Sequence, residues 1–279
     1  MLIHILWGGN PIGAKFGLEV FPPAWSAFIR FLFGVATIAL WCWYRGHRLW
    51  PDKKEWLPIL SIGSLFTLQI YLMNVGFNQT TGINGAILIS TNPLFAALFA
   101  HLMLTDDRLT TMRSVGLMIA FGGVCLTLIQ TTGEIVSFGT TGDWICLASA
   151  ALLGYRLIAS ANIMRQVDPF RLALWQMVVS LPFYLVIGLT SETIIWSAFS
   201  FQAISGLVYQ GIIVAGLGFM ASLWLISKYK PSVMTGFNFL SPVSGVLLAG
   251  LLLGETISLT AIAGTALVAT GMVLITLRS

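Results

Sequence analysis

The chain has 279 residues, of which 57% are hydrophobic and only 9% are charged, and its mean hydropathy is +0.90. Because soluble domains carry about 25% charged residues, this composition excludes an ordinary soluble protein and is the one expected where lipid covers the outer faces. The net charge of +4 does not indicate a nucleic-acid partner, since the basic residues lie in short loops between apolar segments.

Apolar segments recur along the whole chain and are separated by short polar breaks. A transmembrane helix needs about 20 mostly apolar residues. The sequence therefore predicts an all-α membrane protein with ten transmembrane helices. They are expected near Leu2–Leu18, Pro22–Tyr44, Trp56–Phe77, Gly82–Leu104, Thr110–Gln130, Asp143–Met164, Phe170–Leu189, Phe201–Ile226, Val233–Leu253 and Ser258–Leu277.

Two of the breaks contain proline at a predicted helix start. Pro22-Pro23 precedes the second helix, and Asp168-Pro169 precedes the seventh. Proline is favoured in the first turn because its missing N–H would have no intrahelical acceptor there. We therefore expect both helices to begin at these residues.

The charged residues alternate between the two sides of the predicted membrane. With ten helices, the basic residues of the connecting segments fall on one side, and the opposite loops hold Glu134, Asp143 and Glu192. Cytoplasmic loops carry an excess of Lys and Arg, so a multi-pass protein of the plasma (inner) membrane with both termini cytoplasmic is predicted. The basic residues are Arg45, Arg48, Lys53, Lys54, Arg108, Arg113, Arg165, Arg171, Lys228, Lys230 and Arg278.

The two halves of the sequence share a pattern of proline, acid and glycine at equal spacings. Its members are Pro93, Asp106 and Gly122 in the first half and Pro242, Glu255 and Gly271 in the second. Because five helices per half is an odd number, the second half would enter the membrane in the opposite orientation. We predict two inverted repeats, one over residues 1–130 and one over residues 141–278.

Several short stretches resemble the EamA repeat of the drug/metabolite transporter superfamily. They are Leu6-Trp7-Gly8, Pro22-Pro23 with Arg30-Phe31, Asn92-Pro93-Leu94-Phe95, and Leu251-Leu252-Leu253-Gly254-Glu255-Thr256 leading to Gly264 and Gly271. The resemblance covers the chain as two repeats and implies ten helices around a central cavity. It also implies transport of small metabolites, commonly export of amino acids or related compounds. One departure is Thr105-Asp106-Asp107, where the family favours Gly-Glu.

Basic residues inside the predicted helices are the first candidates for a site. Lys15, Arg30 and Arg156 lie within apolar segments, where an ionised side chain is expensive and needs a reason. Such a residue either faces an aqueous cavity and attracts a substrate carboxylate, or it binds backbone carbonyls or reaches the membrane surface. Both interpretations remain open for each of the three.

Uncharged polar and aromatic residues extend the set of cavity candidates. They are Trp7, Asn10, Tyr71, Asn74, Tyr155, Trp175, Gln176, Gln210 and Asn238. Hydrogen bonds between helices are the alternative role of the polar members. Pro93 and Pro242 are hinge candidates, because proline frees a backbone carbonyl and allows a helix to bend, and matched breaks in two halves point to a transporter site.

The sequence offers no motif for catalysis, metal binding or nucleotide binding. It has no HExxH, GxSxG or P-loop pattern, and its three cysteines form no metal spacing and read as small core residues. Met1–Leu6 is too short for a cleavable signal peptide. We expect no enzyme activity, no catalytic residue and no cofactor.

The leading functional hypothesis is a secondary transporter that exports small metabolites, such as amino acids or drug-like solutes, by alternating access. A non-transporting membrane sensor or assembly protein is the alternative, and an intramembrane lipid-modifying enzyme is a weaker one. The expected partners are a small-molecule solute and the lipid bilayer. The sequence predicts no oligomeric state.

Overall fold

The computed structural model describes residues 2–8, 17, 20–80, 82–132, 139–244 and 259–276. All regular structure in these residues is helical, and no strand occurs among them. Six helical segments in these ranges are long and apolar enough to cross a membrane, and two further apolar helices there are shorter. The prediction of an all-helical membrane protein is confirmed to this extent.

The described helix ends lie within a few residues of the predicted ones, but most of residues 9–18 of the predicted first helix and residues 245–253 of the predicted ninth lie outside the described residues. In chain order the helices are α1 (Leu2–Gly8), α2 (Pro23–Tyr44), α3 (Trp56–Gln79), α4 (Gly82–Ile89), α5 (Asn92–Met103), α6 (Thr111–Thr132), α7 (Thr141–Ile163), α8 (Pro169–Ser191), α9 (Phe201–Tyr209), α10 (Phe219–Lys228), α11 (Pro231–Gly236) and α12 (Leu259–Thr276). A π-helical segment, Gln210–Gly218, joins α9 to α10. The predicted fourth helix is interrupted between α4 and α5, and the predicted ninth is interrupted after α11 by a 3₁₀ turn, Phe237–Phe239.

Both expected helix starts are confirmed. Helix α2 begins at Pro23 and α8 begins at Pro169. The carboxylate of Asp168 accepts hydrogen bonds from the backbone N–H groups of Phe170 and Arg171, both at 3.0 Å. These bonds satisfy two of the donors that every helix start leaves free.

Many large apolar side chains remain exposed on the helices. Leu40 is 63% exposed, Leu57 is 79% exposed and Leu102 is 68% exposed. Water would disfavour so much exposed apolar surface, whereas acyl chains solvate it without cost. The outer faces of the long helices are therefore suited to contact with lipid.

The residues of the chain pack into two compact units. Unit 1 comprises Met1–Gly8, Leu72–Ile158 and Lys228–Ser279, and unit 2 comprises Gly9–Tyr71 and Ala159–Ser227. Each unit draws on both halves of the sequence. The division describes packing, and the repeats over residues 1–130 and 141–278 stay a prediction.

In unit 1, α6 and α12 approach so closely that glycine is needed at the contacts. A Cβ added at Gly123 would lie 2.6 Å from the carbonyl oxygen of Gly264, and one added at Gly271 would lie 2.5 Å from that of Gly116. Because Gly116 meets Gly271 and Gly123 meets Gly264, the two helices run antiparallel. Small residues at such contacts let helices in lipid gain van der Waals attraction. The surrounding core contains Ala97, Leu117, Ala120, Val124, Val233, Phe239, Val243, Val268, Met272 and Ile275.

In unit 2, aromatic side chains of α2, α3 and α8 form a buried core. The ring centroids of Phe31 and Phe66 are 4.9 Å apart, and those of Phe31 and Tyr184 are 5.8 Å apart. All three side chains are fully buried. The hydroxyl of Tyr184 donates a 2.9 Å hydrogen bond to the backbone carbonyl of Thr67, so its polar group is satisfied within this core.

The α6–α12 contact can be tested with two adjacent glycines. We expect Gly123→Ala to destabilise the protein by about 1–3 kcal/mol, because the new methyl group overlaps the Gly264 carbonyl. Gly122→Ala is the matched control: a Cβ there meets nothing within 4 Å, and alanine is the better helix former. Thermal unfolding of both variants in the same detergent measures the difference. Equal stability of the two variants would contradict the contact.

Candidate functional site

The break between α4 and α5 lies in unit 1 and is built around a proline. Pro93 has no N–H, so it leaves the carbonyl of Ile89, one helical turn earlier, without its usual backbone donor. The side-chain amide of Asn92 donates to that carbonyl at 2.8 Å. Asn92 is 5% exposed. Its side chain thus replaces the hydrogen bond that the proline removes.

Ser90 and Thr91 bind two further carbonyls at the same break. Ser90 Oγ donates to the carbonyl of Ala86 at 2.7 Å, and Thr91 Oγ1 donates to that of Leu88 at 2.6 Å. The backbone N–H groups of Ser90 and Thr91 bind the same two carbonyls at 3.1 Å, so the hydroxyls are second donors there. Because a hydroxyl in hydrocarbon also needs a partner, these bonds satisfy both side chains within the break.

The second break, after α11, also lies in unit 1. The backbone there passes through the 3₁₀ turn into helical residues 240–244. Within the turn, Asn238 Nδ2 donates a 2.9 Å hydrogen bond to Asn92 Oδ1. Asn92 thus uses both ends of its amide, one on the end of α4 and the other on the second broken helix. Asn238 was a predicted site residue, whereas Asn92 had been noted only as part of a motif.

Helix α7 packs against the first break at Gly154. A Cβ at this position would lie 2.7 Å from the backbone nitrogen of Ala96 and 3.0 Å from the carbonyl oxygen of Asn92. The next residue, Tyr155, packs edge-on against Phe99 with 5.4 Å between ring centroids. The structure therefore places Tyr155 on a helix that borders the broken segment.

In unit 2, the π-helical segment lies against α2. A Cβ at Gly211 would contact Phe33 and would lie 2.9 Å from the carbonyl oxygen of Arg30. Gln210, the first residue of the segment, is fully buried. π-helical bulges are rare and occur often at functional sites. The predicted residues Arg30 and Gln210 are thus brought to one helix crossing.

The guanidinium of Arg30 lies beside an aromatic ring. Its Cζ is 4.7 Å from the ring centroid of Phe31, and its Nε is buried without a hydrogen-bond partner among the described residues. No acidic side chain in those residues forms an ion pair with it. An arginine at membrane depth costs at least about 2.5 kcal/mol, of which a cation–π contact offsets about 0.5–2 kcal/mol. Such a residue is a functional candidate.

Trp175 belongs to an aromatic cluster at a loop of unit 2. Its Nε1 donates to the backbone carbonyl of Leu49 at 2.9 Å. Its ring centroid lies 5.3 Å from that of Trp50 and 4.7 Å from that of Trp56. Aromatic clusters of this kind anchor membrane proteins at the headgroup level. The structure gives Trp175 an anchoring contact, which the sequence did not predict for it.

The remaining predicted residues are divided between the two units. The buried or partly buried ones are Trp7, Asn74 and Arg156 in unit 1 and Tyr71 and Gln176 in unit 2. Pro93 lies in the first turn of α5, and Pro242 lies in helical residues 240–244. Asn10 and Lys15 lie outside the described residues.

Sequence reasoning missed the buried carboxylate of Asp107 in unit 1. Asp107 and Arg113 form a 2.8 Å ion pair and are 1% and 4% exposed. Asp107 also accepts hydrogen bonds from the backbone N–H and the hydroxyl of Ser232, at 2.8 and 2.6 Å. Asp106, the acid that the repeat pattern singled out, is exposed. Asp107 therefore joins the start of α6 to the start of α11.

Glu192 has an unpredicted role in unit 2. Both of its carboxylate oxygens accept from the backbone N–H of Ala24 at 3.0 Å, and one also accepts from that of Trp25 at 3.1 Å. Negative charge at a helix N-terminus is favoured by the unsatisfied N–H groups and the helix dipole. Glu192 thus caps α2 from the far end of α8.

Asp143 is the corresponding carboxylate of unit 1. It accepts hydrogen bonds from the backbone N–H groups of Gly139 and Thr140, both at 2.9 Å. It also accepts from the side chains of Thr80 and Asn84. The start of α7 is thereby attached to Thr80, between α3 and α4, and to Asn84 in α4. The sequence had identified Asp143 only as a loop acid.

The polar side chains at the two breaks of unit 1 are amides and hydroxyls, those of Asn92, Asn238, Ser90 and Thr91. Within the ranges that the structure describes, no group of three or more His, Cys, Asp or Glu side chains could hold a metal ion. Amides and hydroxyls are groups that can form hydrogen bonds with polar ligands.

A double-mutant cycle tests the hydrogen bond between the two broken helices. Asn92→Ala and Asn238→Ala should each destabilise the protein, and Asn92→Ala should do so more, because it also removes the cap on Ile89. The coupling energy between the two sites should be about 0.6–2 kcal/mol, the range for side-chain hydrogen bonds in membranes. Chemical unfolding in mixed micelles gives all three values. Strict additivity would show that no such bond forms.

Comparison with known proteins places this fold. Residues 1–129 and 140–277 match the EamA-like transporter family. The uncharacterized transporter YvbV of Bacillus subtilis (strain 168) is 25% identical over 99% of this chain and 89% of its own length. The uncharacterized inner membrane transporter YedA of Escherichia coli (strain K12) is 25% identical over 92% of this chain and 82% of its own length. A crystal structure that is 18% identical superimposes with a TM-score of 0.87, covering 99% of this chain and 94% of that chain, and thus shows the same fold. The chain belongs to the EamA-like transporter family.

Proposed function

We propose that this membrane transporter is a secondary transporter that exports small metabolites, such as amino acids or drug-like solutes, by alternating access. Its ten helices form two inverted repeats, over residues 1–130 and 141–278, around a central cavity, and both termini are cytoplasmic. The observation that carries the proposal is the pair of broken helices joined by the Asn92–Asn238 hydrogen bond.

Broken helices in transporters place backbone and polar side chains where a solute binds near the membrane midplane. Both breaks of unit 1 lie close to the matched prolines: Pro93 follows the first, and Pro242 follows the second. Non-helical backbone at membrane depth is tolerated only inside protein or beside a water-filled cavity. The two breaks and their shared amide therefore support a solute site in unit 1.

The packing of α6 and α12 supports the inversion of the repeats. These helices are the last of the first and second predicted repeats. If each repeat has five helices, α6 is the fifth membrane-spanning helix and α12 is the tenth, so the two must cross the membrane in opposite directions. Their glycine contacts run antiparallel, as the inversion requires.

Contacts between loops support the assignment of sides. Each hydrogen bond or ion pair that joins two distant loops links segments that the ten-helix scheme places on the same side. The contacts are Glu55–Arg171 and Asp107–Ser232 for the cytoplasmic loops, and Ala24–Glu192 and Thr80–Asp143 for the outer loops. A scheme with one helix more or fewer between any of these pairs would separate them across the membrane.

The chemistry of Asn92 suits a site that alternates between two states. Alternating access needs solute contacts that differ between the two conformations. A polar group of the solute can replace Asn238 at Asn92 Oδ1, while Asn92 Nδ2 still caps Ile89. Pro93 keeps the α4–α5 joint free of the backbone hydrogen bond that would stiffen it.

Flux measurements test both the transport function and the role of the break between α4 and α5. In proteoliposomes, pooled labelled amino acids and related metabolites should show saturable flux above that of empty vesicles, with and without a pH gradient. Pro93→Ala restores an N–H for Ile89 and should lower that flux by about tenfold, the effect of one hydrogen bond of about 1.4 kcal/mol. The matched control is Pro182→Ala, inside the continuous helix α8, which should leave flux unchanged.

Two results would count against the proposal. Absence of flux for every pooled solute in folded protein would contradict transport and favour a sensor or assembly protein. Flux that Pro93→Ala leaves unchanged would contradict the role of the break but not transport itself.

Cysteine labelling in intact cells tests the predicted sides. In a variant whose three native cysteines are replaced by alanine, we expect Thr193→Cys to react with an impermeant maleimide. Lys54→Cys and Arg108→Cys should react only after the membrane is made permeable, because their loops are cytoplasmic. All three positions are exposed. Labelling of Lys54→Cys in intact cells would contradict the predicted orientation.

A further inference from the structure

We propose that Arg30 binds the carboxylate of the transported solute, so that the substrates are carboxylate-bearing compounds. The inference rests on the proposed transport function and names its substrate class. It concerns unit 2 and is independent of the Asn92–Asn238 contact in unit 1.

Arg30 lies at a depth in the membrane where its positive charge needs a counterion. Arg30 lies about 10 Å along α2 from Pro23, at 1.5 Å per residue, inside a helix of 22 residues. In the described part of the chain, its Nε is buried without a hydrogen-bond partner, and the ion pairs of the acidic side chains are with other arginines. A guanidinium in this position is stabilised when an anion is bound and lacks that stabilisation when the site is empty.

The contact with Phe31 leaves the donors of Arg30 available. The Cζ atom lies 4.7 Å from the ring centroid, so the ring stabilises the positive charge without accepting an N–H in the way that a carboxylate does. The five N–H groups of a guanidinium lie in its plane and match the two oxygens of a carboxylate. A lysine at this position would offer a point charge without that fork.

The neighbouring π-helical segment holds this part of α2 in place. Gly211 meets the carbonyl of Arg30, Gly34 meets Ala215, and Gly216 meets Thr37. These three contacts hold the backbone of α2 at Arg30 and over the two turns that follow it. An anchor that must hold an anion in one geometry needs a rigid support of this kind.

The test compares acids with their amides. Two labelled pools are used in zwitterionic lipid vesicles: the L-amino acids and the corresponding L-amino acid amides, which keep size and side chain but lose the carboxylate. Wild-type protein should transport the acids and exclude the amides. Arg30→Gln should lower the acid flux at least about tenfold, as expected for loss of a charge-assisted hydrogen bond. Neutral lipid excludes an anionic headgroup as the ligand of Arg30.

Arg45→Gln is the matched control. Arg45 follows the same helix, also lies over an aromatic ring (5.4 Å from Trp41), and is exposed. It undergoes the same change of charge and should leave the acid flux unchanged. A second variant, Arg30→Lys, keeps the charge and should recover part of the acid flux at a raised KM. Circular dichroism and thermal unfolding show whether each variant folds. If Arg30→Gln does not fold, the flux of Arg30→Lys is compared with that of wild-type protein instead.

The outcomes separate this inference from the proposed function. Equal flux of acids and amides in wild-type protein, or full acid flux in folded Arg30→Gln, would overturn the carboxylate site and leave transport standing. Absence of flux for both pools and for the wider metabolite pool would remove the transport function and this inference with it.

Discussion

The need to satisfy every backbone hydrogen-bonding group in hydrocarbon governs this fold. Pro93 breaks that rule for the carbonyl of Ile89, and the side chain of Asn92 restores it. Because an amide has a donor end and an acceptor end, the same side chain also binds Asn238 on the second interrupted helix. A local repair of one helix thus becomes the link between two broken helices, and those helices carry the proposed solute site.

The helix ends obey the same rule with charged groups. Asp168 and Glu192 cap helix starts in unit 2, and Asp107 and Asp143 bind helix starts in unit 1. Carboxylates suit these positions because helix N-termini present unpaired N–H groups and a positive dipole end. Most of the acidic residues in the described ranges thus bind helix starts, and none of them forms an ion pair with Arg30. The carboxylate of a solute is the partner that we propose for this guanidinium.

The closest described approaches between helix backbones occur at glycines. Helices α6 and α12 meet at two glycine pairs, and the π-helical segment meets α2 at Gly211 and Gly216. In lipid the hydrophobic effect does not press helices together, so dispersion attraction at short range has to do so. The sequence did not predict the π-helical segment, because a register of five residues has no distinct pattern in a uniformly apolar segment.

The sequence by itself determined the membrane class, the approximate helix bounds and the helix starts at Pro23 and Pro169, because apolar length and proline act locally. It also singled out Arg30, Gln210 and Asn238 as polar residues inside apolar segments. Only the tertiary structure decided that Asp107 rather than Asp106 is buried, that Trp175 anchors a loop, and that Asn238 reaches Asn92. These outcomes depend on side chains far apart in the chain, whose meeting is fixed by helix packing and leaves no local signal in the sequence.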